Sequence, residues 1–309
     1  MNACLKLVLA AALIPFAAAC GNDVDFDSRV ERPAFTRGAG PTIMFDHGHH
    51  NHHEIGSTYK PFARLLENDG FQVVEANGQF SSESLKTGSI LVIVAAQSQT
   101  DTNDAPAFTA EEVQAVAAWV KNGGSLLLIT DHYPFPNAAA GLARAFGLDV
   151  GKGMVFDTKH FREGSRDESR LIFSRANGLL GSHPITAGRN PSEEVSLVET
   201  FTGDAFKPPA SATALMTLAP TAQIYTGVPE VTHKGADTSV NVNFVDPRSA
   251  QGWVQGAAVP YGSGRVVALA EAAMATAQED GGRKLGMNAP GNDNRQFVLN
   301  ALHWLAHLI

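Results

Sequence analysis

The sequence contains only two cysteines, Cys4 and Cys20, among 309 residues. Both stand near the N-terminus, so a domain folded from the rest of the chain has no thiol. This absence excludes disulfide bonds, cysteine–zinc sites and a cysteine nucleophile within that domain. The chain is also poor in basic residues, with 23 Lys and Arg against 31 Asp and Glu, and it has no basic cluster. Nucleic acid is therefore not an expected partner.

Long hydrophobic runs are also scarce, and the apolar stretch from Leu7 to Ala19 is shorter than the roughly 20 residues that cross a bilayer. Lys6 precedes this stretch, and three alanines end it before Cys20. The pattern predicts that residues 1–19 are a cleaved bacterial signal peptide. The alanines before Cys20 resemble a lipoprotein box, which predicts lipidation of Cys20 and anchoring to the membrane. Ordinary cleavage at the same bond is the alternative. Gly21 after the cysteine favours the outer membrane, facing the periplasm.

The remaining chain divides into a polar segment and one domain. Residues 20–40 have no sustained hydrophobic period and predict a lipid-anchored tether. From Pro41 onward, short apolar strands alternate with helical patterns. One predicted helix begins at a capping box of Thr109 and Glu112, and another is predicted from Asn137 to Phe146. This rhythm predicts a single α/β domain over residues 41–309, with a doubly wound, mostly parallel sheet. Residues 148–259 alternate short apolar runs with Gly and Pro, which predicts a β-rich, loop-rich insertion.

Polar residues follow four of the predicted strands, and in such sheets ligands bind beyond the carboxyl ends of the strands. We expect these side chains to meet at one edge of the sheet. As catalytic residues we predict Asp131, His132 and Glu271; as pocket residues Asn51, Gln97, Ser98 and His183; and as metal ligands Asp46, His49, His47 and His53.

The chemistry of this set is that of a metal site or of an acid–base site. Carboxylates and imidazoles without thiolates suit a zinc-like divalent ion, and they also suit a general base with its orienting partner. Simpler interpretations remain for each element. The histidine tract can be solvated or bind metals without specificity. Asp131 can cap the following turn, and Glu271 can pair with Arg295. His303, next to Trp304 in the last helix, is expected to be a packed core histidine.

Five motifs together resemble a known superfamily: FDHGHHNHH, LVIVAAQ, WVKNGGSLLLITDHYP, GRVVALAEAAM and DNRQFVLNALHWL. They are similar to an uncharacterised bacterial lipoprotein branch of the class I glutamine amidotransferase-like superfamily. The HPIT segment is also similar to one in trehalose-utilisation-type members. The resemblance implies a flavodoxin-like, amidotransferase-like fold over most of residues 41–309. Members with glutaminase activity carry a cysteine on the turn after a central strand. The counterpart here, from Ile129 to Tyr133, has none, so glutaminase activity is not expected.

Two classes of function follow for an exported lipoprotein of this kind. One is a hydrolase, metal-assisted in one version, that acts on an envelope-derived small molecule or carbohydrate. The other is a noncatalytic lipoprotein that binds a small molecule or serves as a scaffold. We favour the hydrolase, because many titratable groups at one sheet edge are costly to desolvate unless they are used or paired.

Overall fold

The computed structural model describes residues 21–98, 105–234 and 237–309, and of residues 231–240 it describes no side chains. The predicted signal peptide and Cys20 lie outside the described residues. The helices are α1 (Lys60–Asn68), α2 (Ala110–Lys121), α3 (Phe135–Ala145), α4 (Pro184–Ala187) and α5 (Asn294–Leu305). The strands are β1 (Gly21–Asn22), β2 (Thr42–Asp46), β3 (Gln72–Ala76), β4 (Ile90–Val94), β5 (Ser125–Ile129), β6 (Asp149–Val150), β7 (Gly153–Asp157), β8 (Ile172–Ser174), β9 (Leu197–Glu199), β10 (Phe206–Lys207), β11 (Thr213–Thr217), β12 (Ala222–Lys234), β13 (Asp237–Ser249), β14 (Val254–Tyr261), β15 (Gly264–Leu269), β16 (Ala277–Asp280) and β17 (Arg283–Gly286).

A nine-stranded central sheet organises the molecule, with the order β3-β2-β4-β5-β15-β14-β10-β6 and β11 paired to β14. The five strands β3, β2, β4, β5 and β15 run parallel, and β14, β10, β6 and β11 add antiparallel pairs. Helices α1 and α5 contribute to the core on one face, and α2 and α3 to the core on the other. The chain is thus a mixed α/β fold with a mostly parallel central sheet, as the sequence predicted.

The central strands form where the sequence is apolar without interruption. Every residue of β4 and β5 is buried, as expected for strands covered on both faces. Helix α2 begins at the predicted capping box, in which the Thr109 hydroxyl accepts from the Glu112 amide at 3.2 Å and the Glu112 carboxylate accepts from the Thr109 amide at 2.9 Å. Helix α3 starts two residues before the predicted Asn137, because Pro136 fits the first turn of a helix.

Three smaller antiparallel sheets surround the central one. Strands β12 and β13 form a long hairpin that pairs with β7. Strands β8 and β9 pair with each other, and β1 joins β16 and β17. Residues 148–259 thus contain strands β6 to β14. None of the described helices is long and apolar enough to cross a membrane.

Residues 21–40 do not extend away from the domain, in contrast to the predicted tether. Strand β1 pairs with β16, and the Ala34 amide donates to the Asp69 carboxylate at 2.7 Å. The ring of Phe35 packs edge-on against Phe71, with centroids 5.1 Å apart. The segment is polar in composition, but it contributes apolar residues and backbone hydrogen bonds at spaced positions, which hydrophobic periodicity does not detect.

Candidate functional site

Backbone strain marks the carboxyl edge of the parallel strands. Three residues other than glycine adopt a left-handed conformation there: His50 in the loop after β2, Ala95 directly after β4, and Asp131 after β5, with φ values of 46°, 45° and 80°. Such conformations cost of order 1–3 kcal/mol each and are concentrated at functional sites. The loops are joined, since the His52 amide donates to Ala95 O at 3.0 Å and the Ala95 amide donates to Ile129 O at 2.9 Å.

His49 lies in a closed network of two carboxylates. Its Nδ1 is 2.8 Å from Asp46 Oδ1, and its Nε2 is 2.8 Å from Glu112 Oε1. The rings of Phe80 and Phe108 flank the imidazole, each with its centroid 4.6 Å away. Burial by itself lowers the pKa of His49, but the hydrogen bonds and charges of Asp46 and Glu112 outweigh it and raise the pKa. Both nitrogens therefore donate, and the ring is an imidazolium held between two anions.

The predicted metal set of Asp46, His49, His47 and His53 does not assemble. His49 has no nitrogen lone pair left for an ion, and His47 pairs with Glu54 at 3.2 Å near the surface. His53 is buried elsewhere, with Nδ1 2.6 Å from Thr58 Oγ1. Within the described ranges, no group of three or more His, Cys, Asp or Glu side chains could hold a metal ion. The residues are close in sequence, but each is bound by a different neighbour.

A second cluster joins the three predicted catalytic residues, and we call it the edge cluster: Asp131, Glu271, His132, His52, His53 and Tyr59. The Tyr59 hydroxyl donates to the carbonyl oxygen of Ala272, next to Glu271, at 2.7 Å, and its ring lies 5.1 Å from that of His53. His53 is 4.9 Å from His52, centroid to centroid. Phe135 contacts both His52 and His132, at 5.5 and 5.9 Å. Tyr59, His53, His52 and His132 are thus linked in sequence through these rings and Phe135.

The two carboxyl groups of the edge cluster interact electrostatically. Burial raises the pKa of Asp131, while the charges of His132 and His52 and the His132 amide oppose this rise. Burial and the charge of Asp131 raise the pKa of Glu271 well above its ordinary value. The Ala273 and Met274 amides donate to the Glu271 oxygens at 2.7 and 2.8 Å. Burial and the charge of Asp131 thus disfavour the ionised form of Glu271, whereas the two amide hydrogen bonds favour it.

His132 presents a basic nitrogen at this edge. Its Nδ1 lies 2.7 Å from the carbonyl oxygen of Tyr133, which can only accept, so Nδ1 carries the proton. Nε2 is therefore a lone-pair nitrogen in the neutral ring. His132 is half-buried and His52 is exposed, whereas burial, with His52 and His132 nearby, lowers the pKa of the buried His53 to about 3. The carboxyl groups of the edge cluster are therefore buried, whereas the His132 and His52 imidazoles reach solvent.

Three of the four predicted pocket residues lie near the carboxyl ends of β2 and β4. Asn51 is buried, and its amide donates to Asp46 Oδ2 at 3.0 Å and to Val94 O at 3.1 Å, so it fixes the loop. Gln97 and Ser98 are half-buried just after β4.

His183 does not join them. It caps α4 by accepting from the Ile185 amide at 3.2 Å and packs edge-on against Trp304. Trp304 O in turn accepts from Arg265, which lies at the opposite, amino-terminal end of the parallel strands. Only the tertiary fold could show this position of His183, because the sequence of a histidine before a proline does not indicate which end of the sheet its loop occupies.

Three participants were missed from the sequence. Glu112 is predicted only as a capping residue, yet its carboxylate also binds His49. Tyr59 and His52 complete the edge cluster, and nothing in the spacing of the histidine tract distinguishes His52 from its neighbours. The simpler pairing of Glu271 with Arg295 does not occur, since Arg295 donates to the carbonyl oxygen of Arg29. His303 is buried and its Nε2 is 2.6 Å from Asp69 Oδ2, as expected for a packed core histidine.

The fold is similar to those of several solved structures. The mmIFT52 N-terminal domain superposes with a TM-score of 0.58 at 12% identity, covering 85% of this chain and 96% of that one. A ThuA-like protein from Bacteroides uniformis matches with a TM-score of 0.39 at 12% identity over 92% of this chain and 95% of that one. A GMP synthase-like protein from Thermoplasma acidophilum matches with a TM-score of 0.41 at 13% identity over 86% and 94% of the two chains. No protein-family model and no curated protein matches the sequence. At such identities the similarity concerns the fold alone.

Proposed function

We propose that the protein is a hydrolase in which His132 is the general base. The observation that supports this is the fixed tautomer of His132, in which Nδ1 donates to Tyr133 O at 2.7 Å and Nε2 keeps its lone pair, in a ring that interacts electrostatically with Asp131. Asp131 lies on a left-handed turn directly after a central strand, at the edge where doubly wound sheets bind ligands. A buried anion next to an imidazole stabilises the imidazolium that forms when the base takes up a proton.

The reaction that this arrangement suits is hydrolysis of an ester or amide. His132 Nε2 takes a proton from a water molecule, whose oxygen then bonds to the substrate carbonyl carbon. The bond from that carbon to the leaving group breaks, and the proton on Nε2 moves to the leaving oxygen or nitrogen. One water is consumed, and an acid and an alcohol or amine are released. His52 is exposed in the same cluster, and in this proposal it binds the leaving group.

The test compares two histidines that each lie beside a buried aspartate. Replacing His132 with Gln should lower the turnover of p-nitrophenyl acetate and related esters about 100- to 10,000-fold. His160 provides the matched control, because it is half-buried with Nδ1 3.0 Å from Asp157 Oδ2 but lies outside the edge cluster. His160→Gln should leave turnover unchanged. Equal turnover in the wild type and His132→Gln would contradict the proposed base.

A noncatalytic binding protein is the second candidate, and one observation favours it. Both Glu271 oxygens accept backbone amides, which is the arrangement of a carboxyl that shapes a loop. In that case no ester or glycoside is turned over, and a small carbohydrate-like ligand raises the melting temperature of the wild type but not of His52→Ala. Turnover that disappears in His132→Gln would exclude this candidate as the sole function.

A bound metal ion that assists hydrolysis is a second version of the hydrolase proposal. Because both His49 nitrogens bind carboxylates, the predicted ligand set offers an ion no imidazole from His49. We expect the chelated, back-titrated protein to take up less than one tightly bound equivalent of zinc. Uptake of one equivalent that is lost in His132→Ala would show that the edge cluster binds the ion.

We propose that the chain is an exported, amidotransferase-like lipoprotein anchored through Cys20 to the outer membrane and facing the periplasm. The lipoprotein box at Cys20 supports the anchor, and the five motifs support the family. The substrate of the proposed hydrolase is then an envelope-derived small molecule or carbohydrate.

A further inference from the structure

The chain is fixed to the domain from the first residue after Cys20. Gly21 and Asn22 pair with Glu279 and Gln278 of β16, and the Asp23 amide donates to Ala277 O at 2.8 Å. Gly21, which is bonded directly to Cys20, is thus already part of the sheet formed by β1, β16 and β17. A lipid on Cys20 therefore has no flexible spacer between it and the domain.

An ion pair holds the next residue in place. Asp23 is buried, and its Oδ2 accepts from Lys284 Nζ at 2.7 Å and from Asn288 Nδ2 at 3.0 Å. These contacts link the N-terminus to β17 and to the loop that follows it. The strand cannot detach without exposing a paired carboxylate and breaking its ladder with β16, so the position of residue 21 is a fixed feature of the fold.

The anchored strand lies next to the edge cluster. Asn22 Nδ2 donates to the carbonyl oxygen of Ser57 at 2.7 Å. Ser57 immediately precedes Thr58, whose hydroxyl is 2.6 Å from Nδ1 of His53. Strand β16 also follows Glu271 in the chain, with only a short turn between them. Two separate connections thus place strand β1 and the edge cluster at the same end of the molecule.

The surface around the anchored strand suits a lipid bilayer. Val24 is 93% exposed and presents an apolar side chain four residues after Cys20. Lys60 and Arg64, both exposed on α1, line the same groove as Val24 and can reach phosphate headgroups. Asp23 is paired with Lys284 and Asp27 with Arg29, whereas Asp25 and Glu279, the cross-strand neighbour of Gly21, are exposed carboxylates. The patch therefore presents the apolar Val24 side chain and two cations together with two carboxylates.

We propose that the lipid on Cys20 holds the edge cluster against the bilayer, so that the substrate is an amphipathic molecule resident in the membrane. This rests on the hydrolase and the lipid anchor proposed above. The bond that is hydrolysed then lies at the level of the headgroups, and the substrate enters the edge cluster from the membrane surface.

The orientation is measured by hydrogen exchange on the lipidated protein in vesicles of phosphatidylethanolamine and phosphatidylglycerol. Compared with the released Cys20→Ser protein, exchange in residues 24–27 and 54–60 should slow by at least about tenfold, whereas residues 262–265 at the opposite edge should not change. Val24→Asp should weaken this protection. Leu308→Asp is the matched control, because Leu308 is also exposed, at 40%, but lies next to Ile309, whose carbonyl oxygen accepts from Arg265 at the opposite end of the parallel strands.

A spacer variant separates anchoring from orientation. About 20 Gly and Ser residues inserted between Cys20 and Gly21 should keep the protein on vesicles but abolish the protection. The wild type should hydrolyse p-nitrophenyl palmitate in the vesicles at least about tenfold faster than the spacer variant, with equal rates on soluble p-nitrophenyl acetate.

The outcomes are distinct. Uniform exchange in protein that is bound to vesicles would overturn the orientation, and so would failure of the wild type to bind vesicles. Equal palmitate rates in the wild type and the spacer variant would overturn the substrate class. Protection without any turnover that depends on His132 would leave the orientation supported and would show that the hydrolase proposal is wrong.

Discussion

At the scale of single residues, His49 shows how one imidazole stabilises a loop. It is almost fully buried, lies between Asp46 and Glu112, and is packed between two phenylalanine rings. Two buried carboxylates at this short range would repel each other without the cation. The sequence predicted His49 as a metal ligand, but in the structure its imidazolium is the counterion of the Asp46 and Glu112 carboxylates.

Replacing His49 with Gln should lower the free energy of unfolding by about 3 kcal/mol at pH 6, because it leaves two buried carboxylates without a cation. The pKa of His49 is raised in the folded state, so its contribution is complete below the unfolded pKa near 6.5 and is lost as the pH rises through the folded pKa. Urea denaturation at pH 6 and pH 9 should therefore show a smaller difference at pH 9. His47→Gln, at a half-exposed pair, should cost less than about 1 kcal/mol. Equal losses in the two variants would contradict this account.

The buried His53 predicts a loss of stability in acid. Its pKa falls to about 3 because burial, together with His52 and His132 nearby, disfavours the charged ring. Below a pH of about 6.5 the unfolded chain binds a proton that folded His53 does not, so stability decreases progressively as the pH falls towards 3. Denaturation curves between pH 7 and pH 4 should decline less steeply for His53→Asn than for the wild type. Parallel curves would show that His53 does not contribute.

At the scale of elements, the first turn of α2 is coupled to the loop after β2. Glu112 completes the capping box with Thr109 and also binds His49. One carboxylate therefore caps the start of α2 and holds the loop after β2. The sequence predicted the capping box correctly, because both partners lie within four residues. The bond to His49 joins positions 63 residues apart, and no local pattern specifies it.

Thr109→Ala should lower the free energy of unfolding by about 1 kcal/mol, the usual cost of losing a helix cap. The double variant with His49→Gln should lose less than the sum of the two single losses, with a coupling of about 0.5 kcal/mol or more, because both residues bind Glu112. Urea denaturation of the four proteins measures the coupling. Additive losses would indicate that the cap and the loop are independent.

At the scale of the whole molecule, the contacts of residues 21–40 determine whether the N-terminal segment can move relative to the domain. A tether would let the domain rotate freely, whereas a paired strand fixes one edge of the sheet next to residue 20. The fold also places the edge cluster at the same end of the molecule as that strand. The proposed anchor and the candidate site therefore belong to one end of the molecule.

The proposed lipid anchor makes a prediction for the intact cell. In membrane fractionation, Cys20→Ser should move the protein from the outer membrane to the soluble periplasmic fraction, because no acyl chain remains to bind the bilayer. Cys4→Ser serves as the control and should leave the protein in the membrane, since residue 4 belongs to the predicted signal peptide. Unchanged fractionation of Cys20→Ser would show that the lipid anchor does not exist.

The sequence by itself determined the central architecture. The unbroken apolar runs of β4 and β5, the capping box of α2 and the left-handed Gly70 after α1 are local features, and each specifies its element through hydrophobic period or backbone conformation. It also indicated which strand ends carry titratable side chains, because a parallel sheet gathers its carboxyl ends at one edge.

Only the tertiary structure decided which of those side chains are partners. His49 and Glu112, Tyr59 and Ala272, and Asn22 and Ser57 are far apart in the chain and are joined by hydrogen bonds. A hydrogen bond depends on distances of about 3 Å and on the orientation of both groups. Hydrophobic periodicity specifies which face of an element is buried, but it does not specify the contacts of any one polar atom.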